Sequence, residues 1–121
     1  MNARADVRCW TINLPGWLPP GADALCAAGP EKCQRLLDGA AAMVKASAGP
    51  AHQARGRRSL SLVFSDATLP DADDLVGAAL IVLERAGLIL GTRPAQLAVG
   101  GVEAVVGPRG TVVLLRDVGG L

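Results

Sequence analysis

The chain has 121 residues, half of them hydrophobic, and a formal net charge of +1 at neutral pH. This length is enough for one domain, 1–121, with a core of its own, and the small net charge gives no general attraction to nucleic acid. We expect a cytoplasmic protein, because residues 1–8 lack the apolar segment of a signal peptide and the apolar stretch 76–83 falls far short of the roughly 20 residues of a membrane span.

The first half of the sequence predicts a strand followed by a helix. Apolar residues alternate over 7–14, which indicates a strand, and the Pro- and Gly-rich segment 15–21 ends it. A helix is predicted from Pro30, a residue suited to the first helical turn, to about Ala46, with apolar residues at three- and four-residue spacing. A Gly-Pro pair ends this helix.

The second half predicts a strand, a helix and two more strands. Apolar and polar residues alternate cleanly over 59–65, the clearest strand pattern in the sequence. The second helix is predicted to begin after Pro70 and to end at Gly87, a residue type suited to a helix C-terminus. The segments 97–106 and 111–118 are predicted strands, joined by the intervening Gly-Pro-Arg-Gly as a tight hairpin.

The predicted order of elements is β-α-β-α-β-β, which favours a single small α/β (α+β) domain. Its sheet is expected to be mixed, with the two helices packed on one face. The second helix is apolar on more than one side, and a four-stranded sheet has two edges. A second copy of the chain would cover such surfaces, so we expect a homodimer.

Three carboxylates precede the second helix within four residues: Asp71, Asp73 and Asp74. One interpretation is helix capping, in which Asp71 is the N-cap, Asp74 approximates a capping box and Asp73 interacts with the helix dipole. The other interpretation is a magnesium site, because hard oxygen ligands suit that ion. The choice between them bears on whether the protein is an enzyme.

Two stretches of the sequence resemble the RusA-type Holliday junction resolvases. They are Asp71-Ala72-Asp73-Asp74-Leu75, followed by an apolar helix and Ala86-Gly87-Leu88-Ile89-Leu90, and the turn Leu14-Pro15-Gly16-Trp17-Leu18-Pro19-Pro20 after the first strand. The resemblance in element order covers most of the chain. It implies a small homodimer of mixed α/β fold that acts in DNA recombination by cutting four-way junctions. The implied catalytic residues are Asp71 and Asp73, which bind Mg²⁺, with Asp74 as a substitute ligand.

The sequence departs from the family's pattern at two catalytic positions. Gly77 stands where the family has a lysine, and the turn containing Gly91, Thr92 and Arg93 lacks the third metal-binding acid. We therefore expect a catalytically impaired relative, a pseudoenzyme that serves as a DNA- or protein-binding module. The alternatives are an active Mg-dependent structure-specific endodeoxyribonuclease and an unrelated small α/β interaction domain.

Basic residues cluster between the first helix and the second strand. Lys45, Arg55, Arg57 and Arg58, together with Arg93 on a later loop, are the predicted DNA-binding residues, and branched DNA is the predicted partner. Clustered arginines on loops neutralise successive phosphates, which supplies the salt-dependent part of DNA affinity. The alternative is a solvated loop that keeps an apolar domain soluble.

The remaining candidates for chemistry are one histidine and three cysteines. His52 has no second ligand at metal-binding spacing, so it is interpreted as an exposed loop residue. Cys9, Cys26 and Cys33 form no Cys-x-x-Cys pair, and we expect them to be reduced.

Overall fold

Four strands and three helices make up the part of the chain that the structure describes. This computed structural model covers residues 8–118, apart from the side chain of His52. The elements are β1 Cys9–Pro15, α1 Ala22–Ala28, α2 Pro30–Ala48, a 3-10 turn Gly49–His52, β2 Arg58–Asp66, α3 Ala72–Arg85, β3 Leu97–Val106 and β4 Gly110–Asp117. None of the described helices is long and apolar enough to cross a membrane.

The strands form one mixed sheet in the order β1-β4-β2-β3. β4 pairs antiparallel with both β1 and β2, and β2 pairs parallel with β3. Val113 of β4 lies opposite Ile12 on one side and Leu62 on the other, so the three side chains share one face of the sheet. The predicted mixed α+β class is confirmed.

The predicted hairpin between the last two strands is wrong, because β2 lies between β3 and β4. The connection crosses the end of β2, where the N–H of Gly107 donates to the carbonyl of Asp66 at 3.0 Å and the Ser65 hydroxyl donates to the carbonyl of Pro108 at 2.6 Å. Stepping over one strand requires about 10 Å, which a connection of this length can span. The physical reason is that β2 carries the most buried strand pattern and therefore takes a central position.

The core lies between one face of the sheet and the helices. On the sheet side it contains Ile12, Leu14, Leu60, Leu62, Phe64, Val113 and Leu115, and on the helix side Leu37, Ala41, Val44, Leu75, Ala78, Ala79, Val82 and Leu83. α2 and α3 thus cover the same face, as predicted. The other face of the sheet carries no helix among the described residues.

The helix α1 was not predicted from the sequence. It has seven residues, none of them fully buried, and it follows a Pro- and Gly-rich segment. A short helix with no buried stripe gives little periodic signal. The contact that holds its first turn comes from α3, 52 residues later in the chain.

Candidate nucleic-acid interface

Asp71 caps the N-terminus of α3. Its Oδ1 accepts hydrogen bonds from the backbone N–H of Asp73 at 3.1 Å and of Asp74 at 3.4 Å, and its backbone is extended. The carboxylate is the acceptor of the Asp73 N–H, whereas the Asp74 N–H is shared between the carboxylate and the Asp71 carbonyl, at 3.1 Å from the latter. The prediction of Asp71 as an N-cap is confirmed.

Asp74 caps a different helix. Its Oδ1 accepts the backbone N–H of Ala22 at 2.9 Å, at the first turn of α1. A Cβ added to Gly21 would lie 2.3 Å from the Asp74 Oδ2, so only glycine leaves room for this carboxylate. The capping-box prediction for Asp74 is therefore wrong about the group that Asp74 binds. The carboxylate accepts from Ala22, 52 residues earlier in the chain, which the local sequence could not indicate.

The three carboxylates have different surroundings in this structure. Asp71 and Asp74 accept backbone hydrogen bonds at two different helix ends, and Asp73 is exposed. No group of three or more His, Cys, Asp or Glu side chains placed to hold a metal occurs among residues 8–118, His52 excepted. We therefore assign no chemical step to a metal at this cluster, and magnesium remains a prediction of the nuclease alternative.

Capping and metal binding predict different effects of two alanine substitutions. Asp71→Ala is expected to lower the free energy of unfolding by about 1 kcal/mol, because it removes an N-cap. Asp73→Ala is expected to lower it by only about 0.3 kcal/mol, because an exposed carboxylate interacts weakly with the helix dipole. Urea unfolding with and without magnesium measures both. Equal losses for the two variants, with wild-type protein stabilised by magnesium, would contradict the capping interpretation.

Four of the five predicted DNA-binding residues lie on segments at the end of the sheet where β2 begins, which we call the basic end: Lys45, Arg55, Arg57 and Arg93. Lys45 lies in the last turn of α2, and the loop that follows carries Arg55 and Arg57 into β2. The Arg57 Nε donates to the carbonyl of Pro94 at 2.8 Å, which places it beside Arg93. All four side chains are exposed, whereas the side chain of His52 lies outside the described residues.

Arg58 lies in the core rather than at the basic end. Its residue is only 2 % exposed, and its guanidinium donates to the carbonyl oxygens of Ala51 and Leu88, the latter at 2.7 Å. It also forms an ion pair of 2.9 Å with Asp117 and lies 4.5 Å from the ring centroid of Trp10. The guanidinium of Arg58 makes its hydrogen bonds and its ion pair with groups of the protein itself. We therefore remove Arg58 from the set of proposed DNA contacts. It instead joins the segments that carry the exposed arginines.

Five aspartates lie at the opposite end of the sheet, which we call the acidic end: Asp23, Asp66, Asp71, Asp73 and Asp74. Arg109 lies there too and forms an ion pair of 2.9 Å with Asp66. Asp66 is the last residue of β2, and Asp23 joins the group because Asp74 holds α1 in place. The sequence did not group Asp23 with the others, since α1 was not predicted. β2 has nine residues, and at about 3.3 Å per residue its length separates the two ends by roughly 26 Å. The charged residues are thus distributed unevenly between the two ends, with Arg109 at the acidic end and Asp117 beside Arg58 as exceptions.

No protein-family model matches the chain, and no curated protein matches it. The relationship to the RusA-type resolvases therefore stays a prediction from the sequence. The features of the molecule that bear on function are the charged residues at the two ends of the sheet.

Proposed function

We propose that the protein is a non-catalytic DNA-binding module, a RusA-like relative of the Holliday junction resolvases, that contacts DNA phosphates through its basic end. The observation that carries the proposal is the hydrogen bond that places Arg57 beside Arg93, with Arg55 on the same loop and Lys45 in the last turn of the preceding helix. Such a group attracts a polyanion even when the net charge of the protein is close to zero. The acidic motif before α3 and the Pro-rich turn after β1 support the relationship to the family.

The distance between the two charged ends favours binding over cleavage. In a metal-dependent nuclease, the metal and the cations that hold the phosphate act on the same phosphodiester. Here the four cations of the basic end are separated from the acidic end by roughly the length of β2, about 26 Å, so one phosphate cannot contact both ends within a single chain. Arg109 lies at the acidic end, where it is paired with Asp66 at 2.9 Å. Asp71 and Asp74 are also engaged in helix capping.

The proposal is tested by the salt dependence of DNA binding. If the four cations each contact one phosphate, a plot of log affinity for a four-way junction against log salt should have a slope of about −3.6, and a variant carrying Lys45→Ala, Arg55→Ala and Arg93→Ala should have a slope of about −0.9. Fluorescence anisotropy with a labelled synthetic junction and a matched linear duplex measures both. Arg57 is left intact because its side chain also holds the loop at Pro94.

Arg35→Ala is the matched control for this measurement. Arg35 is an exposed arginine on α2 with no hydrogen-bond or ion-pair partner among the described residues, and it lies outside the basic end. Its loss should leave the slope within about 0.3 of wild type, since one distant charge removes no phosphate contact. Binding that is absent at low salt, or is equally reduced by Arg35→Ala, would contradict the proposal. Junction cleavage with magnesium would favour the nuclease alternative.

The proposal includes a homodimer formed along β3. This edge strand has ten residues, no proline and a single charged residue, Glu103. Val99 and Val106 are 49 % and 67 % exposed, and Val76 and Leu80 of α3 are only partly buried. An edge of this kind readily pairs with another strand.

The mass in solution tests the homodimer. Light scattering at micromolar concentration should give the mass of two chains, and a variant carrying Val99→Lys and Val106→Lys should give the mass of one, because charged side chains block edge pairing. A wild-type monomer under these conditions would contradict it. Val112→Lys, on the face of the central strand β4 that carries no helix, is the control that should remain dimeric.

A further inference from the structure

A shallow depression lies on the face of the sheet opposite the helices. Its volume is about 200 Å³, several times the ~30 Å³ that one water molecule occupies in the liquid. The side chains that reach it come from two rows across β1, β4 and β2. One row is Cys9, Arg116 and Ser59, and the next is Thr11, Leu114 and Ser61.

The depression brings together hydrogen-bond donors that have no partner within the protein. Among the described residues, the guanidinium of Arg116 and the hydroxyls of Thr11, Ser59 and Ser61 make no hydrogen bond to another protein group. Directly opposite residues on adjacent strands have Cβ atoms about 5 Å apart and diagonal ones about 7–8 Å apart, so Arg116, Ser59 and Ser61 are close enough to share one ligand. Thr11 is separated from Ser61 by Leu114 and lies at the margin of the site. Ser61 also lies at the β-bulge, where a Cβ on Gly100 would be 3.0 Å from its Oγ.

The charge in the depression has one sign. Arg116 supplies a positive charge, and none of the aspartates and glutamates within residues 8–118 lines the site. A fork of guanidinium N–H groups with adjacent hydroxyls matches the oxygens of a tetrahedral oxyanion, which accepts several charge-assisted hydrogen bonds at once. A metal ion would find no carboxylate there, and a neutral apolar ligand would leave these donors unpaired.

We propose that this depression binds a phosphate group, carried by a phosphomonoester or a phosphodiester. Arg116 donates to two phosphate oxygens, Ser59 and Ser61 donate to the others, and Leu114 lies between Thr11 and Ser61 in the second row. The site is lined by β1, β4 and β2 rather than by the loops of the basic end, and Arg57 lies two residues before Ser59. The proposal does not depend on the DNA-binding proposal. None of its residues belongs to the set predicted to bind DNA.

Cys9 provides a reporter within the site. It is an exposed, free cysteine directly opposite Arg116 in the register of β1 and β4. A phosphate bound at Arg116 would obstruct the approach of an alkylating reagent to its sulfur. Cys26 on α1 is also free and exposed, and it lies on a helix away from this face, so it serves as the internal reference.

The test is a titration with inorganic phosphate, compared with chloride at equal ionic strength and followed by the backbone amide resonances. We expect saturable shifts at Ser59, Ser61 and Arg116, and binding roughly tenfold weaker in Arg116→Gln and in Ser61→Ala, as expected for the loss of a hydrogen bond to a charged group. Arg35→Gln should leave the titration unchanged. The absence of saturable shifts, or equal weakening by Arg35→Gln, would overturn the proposal. If Arg116→Gln does not fold, weaker phosphate binding by Ser61→Ala still tests the proposal.

Alkylation of Cys9 distinguishes the two sources of phosphate. The rate of Cys9 modification relative to Cys26 is measured with inorganic phosphate, with glycerol phosphate and with a linear DNA duplex. Protection by glycerol phosphate alone assigns the site to phosphomonoesters, and protection by the duplex that is lost in Arg116→Gln assigns it to phosphodiesters. Protection by none of the three would overturn the proposal. In the variant of the basic end that lacks Lys45, Arg55 and Arg93, phosphate should still protect Cys9 from alkylation. The phosphate proposal can therefore be contradicted or supported separately from the DNA-binding proposal.

Discussion

Replacing Arg58 with methionine is expected to lower the free energy of unfolding by about 3–5 kcal/mol. The substitution leaves the carbonyl oxygens of Ala51 and Leu88 without their donor, and both residues are 0 % exposed. A buried polar group that loses its partner costs about 1–3 kcal/mol. The ion pair contributes a smaller share, because the Asp117 side chain is 36 % exposed and water screens it. The apolar volume of methionine offsets only part of these losses.

Arg57→Met is the matched control, one position earlier in the chain. Arg57 is exposed, and its side chain makes one hydrogen bond, to the carbonyl of Pro94. Its loss is expected to cost about 0.5–1 kcal/mol, the range of a single net hydrogen bond. Urea unfolding followed by circular dichroism measures both variants. Two arginine variants of equal stability would contradict the interior position of Arg58.

The two adjacent arginines show what the sequence could have predicted about this site. Arg58 precedes Leu60, Leu62 and Phe64 by steps of two, so the alternation of β2 places its side chain on the core face. The same alternation places Ser59 and Ser61 on the opposite face, where they reach the phosphate site. The alternation along β2 thus separates the buried Arg58 from the exposed loop arginines with which it was grouped.

Local patterns were enough to locate most of the elements. β2, α2 and α3 lie within two residues of their predicted bounds at nearly every end, because each has a strong apolar period and a clear terminating residue. α1 lacks both features, and its first turn is held by Asp74, far along the chain. Its position is therefore set by a tertiary contact that no local pattern indicates.

The order of the strands could not be predicted in the same way. A Gly-Pro-Arg-Gly connection is compatible with a hairpin and also with a step across one strand, and the sequence carries no signal that separates the two locally. The outcome depends on which strand is buried most completely on one face, and this is a property of the whole sheet. The hydrogen-bond partner of Asp74 could not be predicted from the local sequence either, because it depends on where α1 lies in the fold.

Phe64→Ala is expected to lower the free energy of unfolding by about 3–5 kcal/mol, comparable with the loss of Arg58. Phe64 is 0 % exposed and lies on the core face of β2, with Thr111 of β4 on one side and Ala104 of β3 on the other. A large ring enclosed on both sides leaves a cavity that neighbouring backbone cannot fill. Thr111 is itself fixed, because its hydroxyl donates to the carbonyl of Trp17 at 2.8 Å.

Val63→Ala is the control for this substitution, on the same strand but on the opposite face. Val63 is only partly buried, so the loss should be about 1 kcal/mol or less. The order β1-β4-β2-β3 also predicts that amide protons of β2 and β4 exchange more slowly than those of the edge strands β1 and β3. A β3-β4 hairpin would place β2 elsewhere and leave one of its edges open to exchange. Fast exchange along one side of β2, together with a small loss for Phe64→Ala, would contradict the central position of this strand and the paired rows of side chains that form the phosphate site.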